Sequence, residues 1–369
     1  MKKFFSAALL VMCIALSAVG VKYIIHSGIF NRYPKAQYLS EDEAEFRPVY
    51  GQLSEKEKSL YTAMFRGICD YKEQIDLPYE ISGETYSKIY CLLEKQEPEL
   101  FFIDSNYYTA KKIRNAKIIY RADKKEIKNM KREFDVAADE ALGDAELAFD
   151  EYNTALRIHD YLIRNCRYIE ENESGHCSTA YGCLVQKEAN CEGYAKAFSL
   201  LASRMGLECI LVTGTTDEGE NHAWNQVKID GIWYNIDVTW DDTDIENDIR
   251  RVYFLCDDDF FSKTHFPDEE YVSVYECGDS GKNYYIKSGL YADSEQATAE
   301  ILRREISGGK KQAEIMFSDD ALYNWFKKEY IEEQGIFGLL LAYSENAGEY
   351  MSVSVQENEK ECCITVIWG

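Results

Sequence analysis

Apolar positions along the chain recur in two periods, every three or four residues and every second residue, and these predict where helices and strands lie. From Leu53 the pattern is helical: Leu60, Met64, Phe65 and Ile68 share a face, and Ser54 with Glu57 has the form of a capping box. A second helix is predicted over Thr85–Gln96 and ends at Glu97-Pro98. Leu100–Ile103 and Lys117–Tyr120 read as strands, and a charged helix starts at Lys124. Leu156, Ile158, His159, Leu162 and Ile163 mark another helix, closed by Tyr168. Cys191, Tyr194, Phe198, Leu201 and Met205 also step by three or four, with Gly206 placed as a C-terminal cap.

Strand patterning follows. Glu208–Thr213 is an apolar run, and beyond it His222, Trp224, Gln226 and Lys228 alternate with Ala223, Asn225, Val227 and Ile229. Asp230-Gly231 is a two-residue hairpin signal. With that turn, Ile229 faces Ile232, His222 lies opposite Thr239 and Trp224 opposite Asp237. His222 and Asp237 are then diagonal neighbours on one face, about 7 Å or less apart at their β carbons. Past residue 279 the pattern predicts strands at Tyr284–Ile286, Glu314–Phe317, Gly338–Tyr343 and Cys362–Trp368, with helices over Glu295–Ile306 and Asp319–Tyr330.

This organisation divides the chain into a leader or anchor (1–21), a polar spacer (22–45) and a mixed α/β region (46–145). A central domain (146–278) and a small α/β C-terminal module (279–369) follow. The leader reading rests on Met1-Lys2-Lys3 before an uncharged run from Phe4 to Val21, which suits a signal peptide or one spanning helix. It makes the protein extracytoplasmic, secreted or N-terminally anchored, with membrane contact through that segment alone.

Composition sharpens the picture. With 46% hydrophobic and 14% aromatic residues the chain supports packed cores rather than disorder. A net charge of −24 argues against nucleic acid as a general partner. The basic stretch Lys111–Arg132 reads as a solvated face. Twelve cysteines show no pairwise zinc spacing, so neither metal nor cofactor is expected. The acidic tract Asp241–Asp248 lacks the glycine and terminal glutamate of a calcium loop and reads as a solvated loop.

Chemistry concentrates in three places: Asn190-Cys191-Glu192-Gly193-Tyr194-Ala195, His222-Ala223-Trp224-Asn225 and Trp233-Tyr234-Asn235-Ile236-Asp237. A thiol at a helix start meets unpaired backbone N–H groups and the positive end of the helix dipole. His222 supplies a base for Cys191, and Asp237 orients that base. Gly193 is expected to keep the approach to the sulfur open. The backbone N–H of Cys191 and the side chain of Gln186 are candidate oxyanion donors. His159, mid-helix beside Asp160, reads as a structural or surface residue, and His176 beside Cys177 as part of a polar loop.

These three motifs, with the strand continuing through Val238-Thr239-Trp240-Asp241, resemble the transglutaminase-like superfamily, and most closely its bacterial cell-envelope members. The resemblance covers about 150–260. It implies an α+β, papain-like core in which a nucleophile helix packs on an antiparallel sheet. It further implies cysteine-dependent acyl transfer on peptide or protein amides, by a peptidase, amidase or transglutaminase-type route, with cell-envelope polypeptides as candidate substrates. Because the superfamily also holds non-catalytic members, a binding or scaffolding module of a surface protein is the alternative.

Overall fold

The structure, a computed structural model, describes residues 33–145, 150–243, 249–343 and 352–369. The expected leader, most of the spacer's first half and Asp244–Asp248 of the acidic tract lie outside the described residues. Among those described, no helix is long and apolar enough to cross a membrane.

Two compact units divide the chain. Among the described residues the first comprises 33–40 with 53–93 and 103–121. In it α1 (Glu55–Cys69) starts at the predicted capping box, where Ser54 Oγ accepts from Glu57 N and the Glu57 carboxylate accepts from Ser54 N. Leu60, Met64 and Ile68 are its buried face. The antiparallel strands β1 (Gln74–Ser82) and β2 (Lys112–Lys117) pair from Gln74↔Lys117 to Ser82↔Lys112. Helix α2 (Gly83–Gln96) follows β1, its last three residues belonging to the second unit. The strands expected at Leu100–Ile103 and Lys117–Tyr120 are absent: Pro98–Leu100 forms a 3-10 turn, and only a single Ile103↔Tyr120 bridge remains. Pro98 at the first turn position favours that turn over a strand. Within the basic stretch, Lys112 and Arg114 both pair with Glu80 at the surface.

The second unit holds residues 41–52, 94–102 and 122–369. Thus α3 (Lys124–Ala145) belongs here rather than with the region that the sequence pattern ended near 145. Its Glu133 accepts from Tyr181 Oη at 2.9 Å, and Phe134 packs on Phe101 with ring centroids 4.7 Å apart. Helix α4 (Glu151–Asn165) is capped by Asp150 and ends before Cys166, so Tyr168 lies in a strand. That strand, β3 (Arg167–Tyr168), runs parallel to β4 (Glu188–Ala189). Helix α5 (Cys191–Arg204) closes as predicted: Gly206 takes φ +79°, and the amides of Gly206 and Leu207 donate to Ser203 O and Ala202 O.

Against α5 lies an antiparallel sheet in the order β7-β6-β5-β8, built from β5 (Cys209–Thr216), β6 (Asn221–Ile229), β7 (Ile232–Ile236) and β8 (His265–Pro267). Ala195 of the helix packs with Leu211 and Ala223 of the sheet, and Cys191 borders that patch. Asn225 Nδ2 fixes the contact by donating to Ala195 O and Ile210 O at 3.1 and 3.2 Å. This is the α+β arrangement expected, a helix on an antiparallel sheet.

The C-terminal part forms a four-stranded sheet, β11-β12-β10-β9. Its strands are β9 (Tyr291–Ala292), β10 (Gln312–Phe317), β11 (Val353–Asn358) and β12 (Cys363–Trp368), with helices at Glu295–Ser307, Asp320–Phe326 and Gly335–Tyr343. Two expected strands are helices. Tyr284–Ser288 is capped by the Asn283 side chain and stopped by Gly289 at φ 66°. Gly335–Tyr343 is an apolar run whose period alone does not separate strand from helix.

Candidate active site

Asn190 places the thiol. Its backbone is extended, and its side chain accepts from Gly193 N at 3.2 Å, so the helix begins at Cys191. Cys191 is partly exposed on the first turn. Gly193 has another task than the one expected: a Cβ there would sit 2.2 Å from Cys177 O and 2.8 Å from Ala189 Cβ. Its bare backbone lets the helix start pack on the 177–189 segment.

His222 is the second residue of β6, and the hairpin register is the predicted one, from Ile229↔Ile232 back to Asn225↔Ile236. Asp230 and Gly231 both take positive φ, 50° and 84°, as the tight two-residue turn requires. The ladder stops there, however, and the pairs His222–Thr239 and Trp224–Asp237 do not form. Asp237 Oδ1 accepts from Thr239 N at 2.9 Å and Trp240 N at 3.2 Å, turning the chain into the one-turn helix Val238–Asp241. The other carboxylate oxygen meets His222: Oδ2 lies 2.7 Å from Nε2. Nδ1 is then the ring nitrogen that can serve the thiol.

A second imidazole joins this carboxylate. His265 Nε2 lies 3.1 Å from Asp237 Oδ2, and its Nδ1 is 2.8 Å from Thr264 Oγ1. The ring is fully buried, stacked on Phe261 at 3.9 Å and flanked by Trp240 at 4.4 Å and Trp224 at 5.1 Å. Sequence reasoning missed His265. It sits in no motif, and a long-range pairing of β8 with β5, Thr216↔His265 to Gly214↔Pro267, delivers it. Donor atoms of His222, Asp237 and His265 fall within 4.8 Å of one another. Their close contacts are mutual hydrogen bonds, and a cation there would have to displace those protons.

Burial opposes a charge on His222, but the charge and hydrogen bond of Asp237, with Cys191 adding to them, outweigh it and push the imidazole up to about 10. Burial likewise raises the Asp237 carboxyl, yet the His222 charge and hydrogen bond, followed by His265, hold it well below the usual carboxylate range. The pair is therefore an imidazolium and a carboxylate through the neutral range.

Cys191 and His222 line one cavity of about 710 Å³, together with Asn190, Glu192, Thr215, Phe266 and Asp268. Below the helix start, buried Lys196 lies 2.6 Å from Glu94 and 2.7 Å from Glu192. Gln186 lies elsewhere: it is in the turn Gly182–Gln186, its Oε1 accepting from Ser174 Oγ at 2.8 Å, and does not line this cavity. His176 is buried against Tyr181, also away from it. His159 is wholly buried between Asp160 and Asp241, each at 3.1 Å. Within the acidic tract Asp241 is buried rather than solvated, holding His159 and Tyr253 N, and the partly exposed Asp242 accepts from Tyr194 Oη at 2.5 Å.

Fold and site together define a thiol, an imidazole and a carboxylate gathered by a helix start and a sheet edge. Residues 144–238 match the family model described as the transglutaminase-like superfamily, so this stretch is similar to that family. Two relatives, both kyphoscoliosis peptidase, align over 130 residues: the mouse protein at 30% identity, covering 30% of this chain and 19% of that one, and the human protein at 29% identity, covering 29% and 20%. The chain thus spans about a fifth of the length of the curated relatives it matches. Among solved structures, a TGase crystal structure aligns over 32% of this chain and 33% of that chain, with a TM-score of 0.28 and 18% identity.

Proposed function

We propose that this protein is a cysteine-dependent acyl-transfer enzyme acting on peptide or protein amides outside the cytoplasm, with Cys191 as nucleophile, His222 as base and Asp237 as orienting carboxylate. The observation that carries the reading is the 2.7 Å bond between Asp237 and His222 Nε2, in a site where His222 and the helix-start thiol of Cys191 share one cavity. The Cys191 sulfur attacks the carbonyl carbon and a C–S bond forms. The tetrahedral intermediate collapses with loss of the C–N bond, and the His222 imidazolium protonates the departing amine. Water then attacks the thioester and gives a proton to His222; the C–S bond breaks, the acid is released and the thiolate returns.

The oxyanion donor in this scheme is the backbone N–H of Cys191 in the first turn of α5, a group that no helical carbonyl claims, Gly193 N being held by Asn190 Oδ1. Hydrolysis is favoured over crosslinking, because water needs no second site, and the relatives are named as peptidases. Polypeptides of the cell envelope are the proposed substrates.

Two measurements test the reading. Cys191 is expected to react with iodoacetamide at pH 6 at least tenfold faster than a free thiol, an advantage that His222→Gln removes. Incubation with envelope extracts should leave an acyl adduct on Cys191, detectable by mass spectrometry. If Cys191 reacts like an ordinary thiol and no adduct forms, the chain is instead a non-catalytic binding or scaffolding module.

A further inference from the structure

We propose that His265 is a positioning residue of the Cys191 centre, a second imidazole whose Nε2–H holds the Asp237 carboxylate in the orientation from which it serves His222. The inference rests on the roles proposed for Cys191, His222 and Asp237.

The argument starts from donors and acceptors. Asp237 is 1% exposed, and its carboxylate has four donors: Thr239 N and Trp240 N on Oδ1, His222 Nε2 and His265 Nε2 on Oδ2. A carboxylate only accepts, so a ring nitrogen 3.1 Å from it has to carry hydrogen. His265 therefore carries hydrogen on Nε2, and its Nδ1 meets Thr264 Oγ1 at 2.8 Å, a hydroxyl that also lies 3.4 Å from Phe261 O. That N–H meets the same carboxylate oxygen as His222 Nε2 and so fixes where Oδ2 lies for the His222 ring.

Two features keep the ring in place. Phe261, Trp240, Trp224 and Tyr253 surround it, with centroids from 3.9 to 5.5 Å. Strand β8 reaches this depth because Gly214 has no side chain: a Cβ there would lie 2.1 Å from Phe266 O. The titratable groups facing the carboxylate and its two rings are Asp241 at the end of the one-turn helix, Tyr253, Cys191 and Tyr168.

The test uses the full chain labelled with ¹⁵N. Long-range ¹H–¹⁵N correlation between pH 6 and 8 is expected to show hydrogen on His265 Nε2; a ring protonated on Nδ1 alone, with Nε2 bare, overturns the proposal. Two variants then separate donor from packing. His265→Gln keeps an N–H near Nε2, and His265→Phe keeps a ring without it. Iodoacetamide rates at Cys191 from pH 6 to 9 should stay within about threefold of the parent for the Gln variant and fall about tenfold for the Phe variant, the size of one lost hydrogen bond. Equal losses in both variants, or none in the Phe variant, overturn it. If the Phe variant does not fold, the tautomer in the parent decides. A parent Cys191 no faster than a free thiol would sink the nucleophile reading alone, since the tautomer of His265 is read without any activity.

Discussion

Asp237 reaches His222 from the residue just past its strand, with Oδ2 on His222 Nε2 at 2.7 Å while Oδ1 caps the turn at Thr239 and Trp240. One side chain thus ends the strand and orients the imidazole. Asp237→Asn separates these roles. The amide oxygen can still cap the turn, but the NH₂ then faces two ring N–H donors. His222 must flip its tautomer or lose its partner, and Cys191 loses its base. The alkylation rate of Cys191 is expected to fall about 10²- to 10⁴-fold while circular dichroism is unchanged. A variant as reactive as the parent would remove Asp237 from the mechanism.

The same pair sets a pH window for stability. His222 in the folded chain holds its proton up to about 10, above the ordinary 6.5 that it regains on unfolding. Its stabilisation is therefore complete below about 6.5 and is lost as pH rises from there to about 10. Asp237 is depressed below the ordinary 3.8, so its contribution is present above that pH and is lost as pH falls through the folded value. The difference in melting temperature between the parent and His222→Gln should be widest between pH 4 and 6.5 and narrow towards pH 10. A difference that grows between pH 7 and 10 would contradict the charged pair.

How much of this was legible in the sequence depended on how local each signal was. Asp230-Gly231 fixed the β6–β7 register because a two-residue turn leaves one pairing, and Gly206 marked the end of α5 because a positive φ is needed there. The end of β7 was not legible: Trp233–Asp241 reads as continuous strand, and a side-chain cap from Asp237 overrode that pattern. His265 was hidden for another reason. Strand pairing across some fifty residues brings it to Asp237, and no local periodicity encodes such a contact. His159 could be read as structural, but its buried partner Asp241 could not be seen in an acidic tract that looks solvated.

Gly193 gives a steric prediction. With Cys177 O only 2.2 Å from a Cβ at this site, Gly193→Ala has to displace backbone rather than a side-chain tip. Destabilisation of about 1–3 kcal/mol is expected from the overpacking. The first turn of α5 must also shift, so Cys191 reactivity should drop together with stability. Urea unfolding and iodoacetamide kinetics on one preparation check both. Unchanged stability would mean that the 177–189 segment yields freely.

Lys196 offers the strongest electrostatic test, because it lies on the nucleophile helix and is 2% exposed. Its ammonium sits 2.6 Å from Glu94 and 2.7 Å from Glu192; burial disfavours the charge, and the two glutamates more than offset this and raise it above the usual lysine range. Lys196→Met leaves the volume nearly filled but strands two carboxylates, with Lys95 at 3.6 Å as the remaining neighbour of Glu192. Removing one partner from such a buried network costs about 3–5 kcal/mol. Adding Glu94→Gln and Glu192→Gln to Lys196→Met should recover most of that loss, since no buried charge is then uncompensated. If the single variant unfolds in urea within about 1 kcal/mol of the parent, well below the cost of an unpaired buried charge, the network does not hold the start of α5 and the placement of Cys191 has to come from Asn190 and Gly193 alone.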